Sequence, residues 1–318
     1  MKYLDFTNYK DYETICEIWN KAYGLSYPIS GDLLKRNLSN ALLDKSYVVL
    51  NDEEKLVAFI IYKEYNDQEP IPGYDKLGWI SLFFVDQKFR KQGIGSKLLE
   101  LVVENAKKNK KEKLCLGRDC YNFFPGLPVD LISCAPWFEK RGFNRPNDTY
   151  DLIKEVSNKD KALLNIKNEK IEYRLATLDD KENLIEFLRK NWPGRWTKEA
   201  LDYFENGGSG KEYVVGIADG KICAFSKIGY PTTDTSLISY SLTWRNRFKS
   251  LGGIGPLGVD ISYRKQNIGH DIVVVANNIL VENGASNIII DWTGLVDFYR
   301  LMGYEVFKSY GYMTKEIK

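Results

Sequence analysis

The feature that most constrains this chain is that it repeats itself. Tyr47-Val48-Val49, a gap of five residues and Lys55-Leu56-Val57-Ala58-Phe59 recur as Tyr213-Val214-Val215, the same gap and Lys221-Ile222-Cys223-Ala224-Phe225. Val85-Asp86-x-x-Phe89-Arg90-Lys91-Gln92-Gly93-Ile94-Gly95 recurs as Val259-Asp260-x-x-Tyr263-Arg264-Lys265-Gln266-Asn267-Ile268-Gly269. Trp137-Phe138-x-x-x-Gly142-Phe143 returns as Phe298-Tyr299-x-x-x-Gly303-Tyr304. Three matches in one order, at offsets of 166, 174 and 161, mark a duplicated domain. A chain of 318 residues suits two domains of ordinary size. The expected division is residues 1–156, a linker at 157–169, and residues 170–318.

Composition narrows the function classes. Lys+Arg 45 against Asp+Glu 43 leaves a net charge of +2, too little for a dedicated nucleic-acid binder. No apolar run approaches the eighteen or so residues of a membrane span, and the first residues lack the apolar core of a signal peptide. A cytoplasmic protein with no nucleic-acid or membrane partner is expected. Five scattered cysteines without a C-x-x-C pair read as reduced thiols. One histidine, His270, is too few for a His/Cys metal cluster, and no G-x-S-x-G elbow accompanies it. Metal hydrolysis and Ser-His-Asp chemistry are therefore disfavoured.

Periodicity gives each half the same order of elements. An early amphipathic helix carries Ile15, Ile18 and Trp19, or Leu184, Phe187 and Leu188, on one face. Two β-rich runs follow, and Asp219-Gly220 between the second pair is a two-residue hairpin signal. A strand (79–85, or 258–261) then runs into the Arg/Gly loop. A helix comes next (95–109, or 269–283), with Leu98, Leu99, Val102 and Ala106 as its stripe. Ile272-Val273-Val274-Val275 has strand propensity, but its place in the repeat assigns it to that helix. A buried strand (113–116, or 287–291), a final helix and closing strands complete the unit. The fold class is α/β: two tandem domains, each a mixed twisted sheet flanked by helices.

An R-x-x-G-x-G loop between strand and helix is suited to cradling phosphate. Amides and the positive end of the helix face outward, and glycine clears the approach. The spacing differs from the dinucleotide fingerprint G-x-G-x-x-G, and no G-K-[ST] follows. The loops with their final-helix signatures, Ala135-Pro136-Trp137-Phe138 with Gly142-Phe143 and Phe298-Tyr299 with Gly303-Tyr304, resemble those of the GNAT acyltransferases, twice in one chain. The resemblance implies an acyl-CoA, expected to be acetyl-CoA, as cosubstrate and no metal. It also implies a pyrophosphate on the loop amides, pantetheine along the preceding strand in a splay between two parallel strands, and direct acyl transfer to an amine. The cofactor-binding residues it implies are Phe84, Val85, Arg90, Lys91, Gln92, Gly93, Ile94, Gly95 and Ser96 in the first half. In the second they are Val259, Arg264, Lys265, Gln266, Asn267, Ile268, Gly269 and His270.

The two copies depart from that pattern in opposite ways. The first keeps both glycines but has Phe138 where many family members carry the tyrosine that protonates the departing thiolate. The second has Tyr299 there but Asn267 in place of the first glycine. Asparagine tolerates positive φ, so the loop can survive, although its side chain is expected to crowd a phosphate oxygen. General acid help is typically worth ~10²–10⁴ in rate, which favours the second half as the catalytic one. Tyr299 is the candidate acid. Asp291, ending Ile288-Ile289-Ile290, is the candidate base; Asp260, whose twin is Asp86, has a repeated structural role. The first half carries thirteen extra residues before its final helix, including Gly117–Pro128, which read as a packed loop that lines an acceptor groove or, the favoured reading, covers the junction between halves. The expected function is acyl-CoA-dependent N-acyltransfer to a primary amine. The alternative is a non-catalytic acyl-CoA-binding or scaffold protein of the same fold. The amine and the oligomeric state are left open by the sequence.

Overall fold

A computed structural model of the chain describes residues 1–121, 123–157, 165–234, 237 and 242–318. Most of the expected linker, 158–164, lies outside them. The first half runs β1 (Lys2–Asp5), α1 (Tyr12–Tyr23), α2 (Gly31–Ser39), β2 (Tyr47–Leu50), β3 (Leu56–Glu64), β4 (Leu77–Val85), α3 (Ile94–Lys108), β5 (Lys113–Leu116), β6 (Leu127–Pro128), α4 (Ala135–Glu139) and β7 (Asn144–Glu155). The second runs β8 (Glu172–Leu175), α5 (Lys181–Asn191), α6 (Arg195–Glu205), β9 (Tyr213–Ala218), β10 (Lys221–Gly229), β11 (Leu251–Val259), α7 (Ile268–Glu282), β12 (Asn287–Thr293), α8 (Val296–Arg300) and β13 (Glu305–Glu316).

Local chemistry accounts for the elements. Leu98, Leu99, Val102 and Ala106 are buried along α3, each larger side chain contributing about 1.5–3 kcal/mol of transfer free energy. On α7, Ile272, Val273 and Val274 are all buried, so packing on both flanks of the helix overrides their β-branched propensity. Asp219 and Gly220 both have positive φ (48° and 72°), the twist a two-residue hairpin needs between β9 and β10. The strand expected at 258–261 begins earlier, at Leu251, and stops at Val259. Its Gly252, Gly253 and Pro256 hide it from a propensity reading, and 261–263 is a 3-10 turn.

Each half places α1/α2, or α5/α6, on one face of its strands and α3, or α7, on the other. The two mixed sheets are joined. Among the described residues the strand order is β1-β2-β3-β4-β5-β13-β7-β12-β11-β10-β9-β8, with β6 beside β13. β4/β5 and β11/β12 are the parallel pairs and the other pairs are antiparallel. The closing strands are exchanged. β13 of the second half pairs with β5 of the first, and β7 of the first half pairs with β12 of the second. β7 and β13 also pair with each other from Glu305 to Thr314. Each half thus completes the other's sheet.

Candidate active site

The two Arg/Gly loops have one backbone. Lys91 and Gly93 have φ of 61° and 82°; Lys265 and Asn267 have 61° and 63°. A Cβ at Gly93 would meet nothing within 4 Å, so the asparagine at the matching place costs no protein contact. Arg90 and Arg264 turn back alike, each donating from Nε to the strand-end carbonyl, of Val85 at 2.9 Å and of Val259 at 3.2 Å. Asp86 and Asp260 both accept a backbone N–H of the next turn, from Lys88 at 2.8 Å and Ser262 at 2.9 Å, which is the repeated structural role expected of them. Lys91, Gln92, Gly93, Lys265, Gln266 and Asn267 are exposed, whereas Ile94 and Ile268 pin the helices from beneath. Gly95 and Gly269 lie against Trp137 and Phe298 of the final helices, where an added Cβ would stand 3.5 and 3.8 Å from the rings. Ser96 is engaged by Arg141 at 2.8 Å. Phe84 is buried and its ring is stacked on Phe59.

Behind each loop the parallel strands splay, and here the halves differ. β11 and β12 are paired only over Leu251–Gly253 with Asn287–Ile289. Beyond that point Pro256 has no N–H to offer a neighbour. The gap is a cavity of about 240 Å³ lined by Ile254–Leu257, Ile290–Leu295 and Tyr299, with Arg195, Trp196 and Glu199 of α6. In the first half, the matching space beyond Ile80 and Leu116 is reduced to about 110 Å³. The extra loop fills it. The Phe124 carbonyl accepts from Arg118 N at 2.7 Å, and the Phe124 ring packs on Trp19 and Tyr27 at 5.9 Å each. Tyr27 in turn meets Trp244 of the other half, so this loop sits at the junction as its composition suggested.

Tyr299 and Asp291 share the larger cavity. Tyr299 is 4% exposed, and among the described residues its hydroxyl has no hydrogen-bond partner. Burial first, and then the charge of Asp291, push its pKa well above that of a free phenol, so it stays protonated. Asp291 lies across the splay from Gly255, 3.9 Å from where a Cβ there would stand. Phe138, the counterpart of Tyr299, is a buried ring against Phe83, Trp137 and Phe143. His270 is held by Asp271 at 2.8 Å on the first turn of α7. Asp271 also accepts the backbone N–H groups of Lys167 and Asn168, so the end of the linker is tied to this loop.

The sequence reading missed Arg195, Trp196, Glu199 and Trp292. Arg195 and Glu199 form an i, i+4 pair at 3.4 Å, and the Arg195 guanidinium lies 4.6 Å over the Trp292 ring. The sole signal was Trp292 following Asp291. Two carboxylates, a phenol, a guanidinium and two indoles around one cleft can bind a polar ring, take a proton from it and give one to a leaving group. Among the described residues no group of His, Cys, Asp and Glu could hold a metal ion, and no helix is long and apolar enough to cross a membrane.

Comparison with known proteins agrees with this geometry. Residues 12–123 match the acetyltransferase (GNAT) family. A solved structure described as a GCN5-related glucosamine N-acetyltransferase region of a fungal multi-domain GH3 β-N-acetylglucosaminidase superposes over 98% of this chain. Its TM-score is 0.85 at 24% identity, and this chain spans 38% of that one. A GCN5-related N-acetyltransferase from Sphaerobacter thermophilus gives TM-score 0.70 at 14% identity, covering 97% of this chain and 93% of its own. A tandem GNAT protein from the clavulanic acid biosynthesis pathway gives 0.66 at 12%, covering 100% and 98%. No curated protein matches the chain. Fold and partial family match point to one class, the GNAT acetyltransferases, whose general chemistry is acyl transfer from CoA to an amine. The family match lies in the first half, and the whole chain has the fold of a tandem GNAT protein, with two GNAT-like units in one polypeptide.

Proposed function

We propose that the chain is an acetyl-CoA-dependent N-acetyltransferase whose chemistry resides in the second half. The observation that carries this reading is the cavity shared by Tyr299 and Asp291 in an open splay directly behind a loop that keeps the backbone of its first-half twin. The matching space in the first half is less than half as large and has Phe138 in place of a proton donor. In this reading the amides of Gln266 to Gly269 and the start of α7 take the pyrophosphate of the cosubstrate, with Arg264 and Lys265 adding charge. The thioester arm enters between β11 and β12. An acceptor amine gives up a proton to Asp291, directly or through water, and its lone pair attacks the thioester carbon. The C–S bond breaks as the C–N bond forms, and the Tyr299 hydroxyl donates to the departing sulfur.

An amino sugar is the acceptor class we favour. Trp196 and Trp292 offer flat apolar faces, and Glu199, Asp291 and Arg195 offer polar partners for ring hydroxyls and the amine. The likeness to a glucosamine N-acetyltransferase region supports the same choice. The first half then acts as a structural partner. The test is thiol release from acetyl-CoA with glucosamine and a panel of other primary amines, with the product identified by mass. Acetylated glucosamine at saturable rates is expected. Release with non-sugar amines alone would replace the acceptor, and release with none would overturn the enzyme reading.

A further inference from the structure

We infer that Asp151, on the exchanged strand β7 of the first half, is a positioning residue for the acceptor wall of the second-half cavity. The inference rests on the reading of that cavity given above. Between β7 and β12 the register shifts: Ile290 faces Leu152 and Thr293 faces Tyr150, so Asp291 and Trp292 together stand opposite Asp151 alone. This is a β-bulge, a device that re-aims side chains. It brings both the candidate base and the Trp292 indole to the cavity. The bulge is conformationally costly. Trp292 has φ of 53°, and among the described residues its buried indole N–H has no acceptor.

What holds the bulge is the Asp151 carboxylate. Its Oδ1 accepts the Trp292 backbone N–H at 3.2 Å, a donor the bulge has taken out of the strand ladder. Its Oδ2 accepts from the Tyr310 hydroxyl at 2.8 Å and from Trp244 Nε1 at 3.0 Å. Asp151 is wholly buried, and three donors fix its orientation. Burial pushes its pKa up to about 6, so near neutral pH it is an ionised acceptor for all three. The duplicate shows the contrast. Arg118, at the place matching Trp292, has the same positive φ (58°), but its N–H is satisfied by Phe124 of its own loop. The second half lacks that loop and takes its acceptor from the other half. Strand exchange thereby gives the first half a part in the second half's site without a chemical step of its own.

Asp151→Asn tests the inference. An asparagine cannot accept from Trp292 and from the Tyr310–Trp244 pair together, because one end of the amide is a donor. We expect kcat/KM for the amine to fall about tenfold, the value of one hydrogen bond to a charged acceptor. KM for acetyl-CoA should change less than twofold. Tyr310→Phe removes a bond of the same buried network without touching the Trp292 contact, and should leave kcat/KM for the amine within twofold. Equal losses in the two variants, or parallel changes toward both substrates, would make Asp151 merely structural and overturn the inference. Should Asp151→Asn yield no folded protein, Asp151→Ser, too short to reach the Trp292 amide, takes its place with the same expectation. Absence of turnover with any amine in the unaltered protein is a separate outcome. It would sink the proposed function first and this inference with it.

Discussion

Removing the Tyr299 hydroxyl probes the proposed chemistry with little disturbance of the fold. In Tyr299→Phe the ring keeps its edge contacts with Phe298 and Tyr304, at 4.9 and 6.1 Å between centroids. Since the hydroxyl bonds to none of the described residues, Tm should move by no more than a degree or two. The kinetic effect is set by what the hydroxyl does for the leaving sulfur. Even a free phenol is about 1.5 units less acidic than a thiol, making complete proton transfer uphill by about 2 kcal/mol. Burial and Asp291 widen that gap by raising the Tyr299 pKa further. Tyr299 therefore acts chiefly as a hydrogen-bond donor to the sulfur as charge develops on it. Such a bond is worth about 1.5–3 kcal/mol, or roughly 10- to 150-fold in rate. The assay is thiol release at saturating acetyl-CoA and amine. A fall in kcat of at least tenfold, with KM for acetyl-CoA nearly unchanged, is expected. An unchanged kcat in a folded variant would refute the assignment and move the chemistry away from α8.

Two further predictions concern buried or paired charges. Asp180 forms a bidentate pair with Arg174, at 2.7 and 2.8 Å, and accepts from the Thr177 N–H; the Arg174 bond is the main cause holding its pKa down at about 2. A depressed carboxylate stabilises the fold above its unfolded pKa near 4 and loses that stabilisation as pH falls toward 2. Asp180→Asn should cost about 1–2 kcal/mol at pH 7, after allowing for solvent around Arg174, and almost nothing at pH 2, measured by urea unfolding at both pH values. Lys227 is buried between Tyr203 and Tyr213, and desolvation lowers its pKa to about 8. Its charge therefore opposes folding near neutrality, and that cost declines as pH rises from 8 toward 10.5. Lys227→Met should raise stability at pH 7 by about 1–3 kcal/mol. A lower Tm would show that the neighbouring carboxylates repay the desolvation.

Duplication made much of the fold legible and also concealed part of it. The 272–275 run has the composition of a strand, and its alignment with the clearer stripe of α3 identified it as helix. The same alignment puts Asn267 at a position that needs positive φ, and its φ is 63°. Strand exchange was not legible for a physical reason. In a duplicated chain, β12 offers β7 the same kind of edge as β5 does, so no local pattern separates a strand that closes its own half from one that closes the other. Tyr299 could be named because it stands at a motif position, and Asp291 because it ends the strand that follows the loop and its helix. Arg195, Trp196 and Glu199 could not, because on an amphipathic helix they are indistinguishable from an ordinary surface face until the splay behind them is known. Asp151 was invisible because its role depends on a bulge in a strand from the other half.

The central claim is that acyl transfer runs in the second half while the first supports it. The most direct test reverses charge on each loop in turn and measures KM for acetyl-CoA. Lys91→Glu/Gln92→Glu and Lys265→Glu/Gln266→Glu alter exposed side chains on loops of one backbone shape, so a difference between them reports which loop serves the reaction. The second-half pair should raise KM at least tenfold through repulsion of the phosphates, while the first-half pair leaves it within twofold. A large rise from the first-half pair with none from the second would contradict the account and place the chemistry behind the loop of α3.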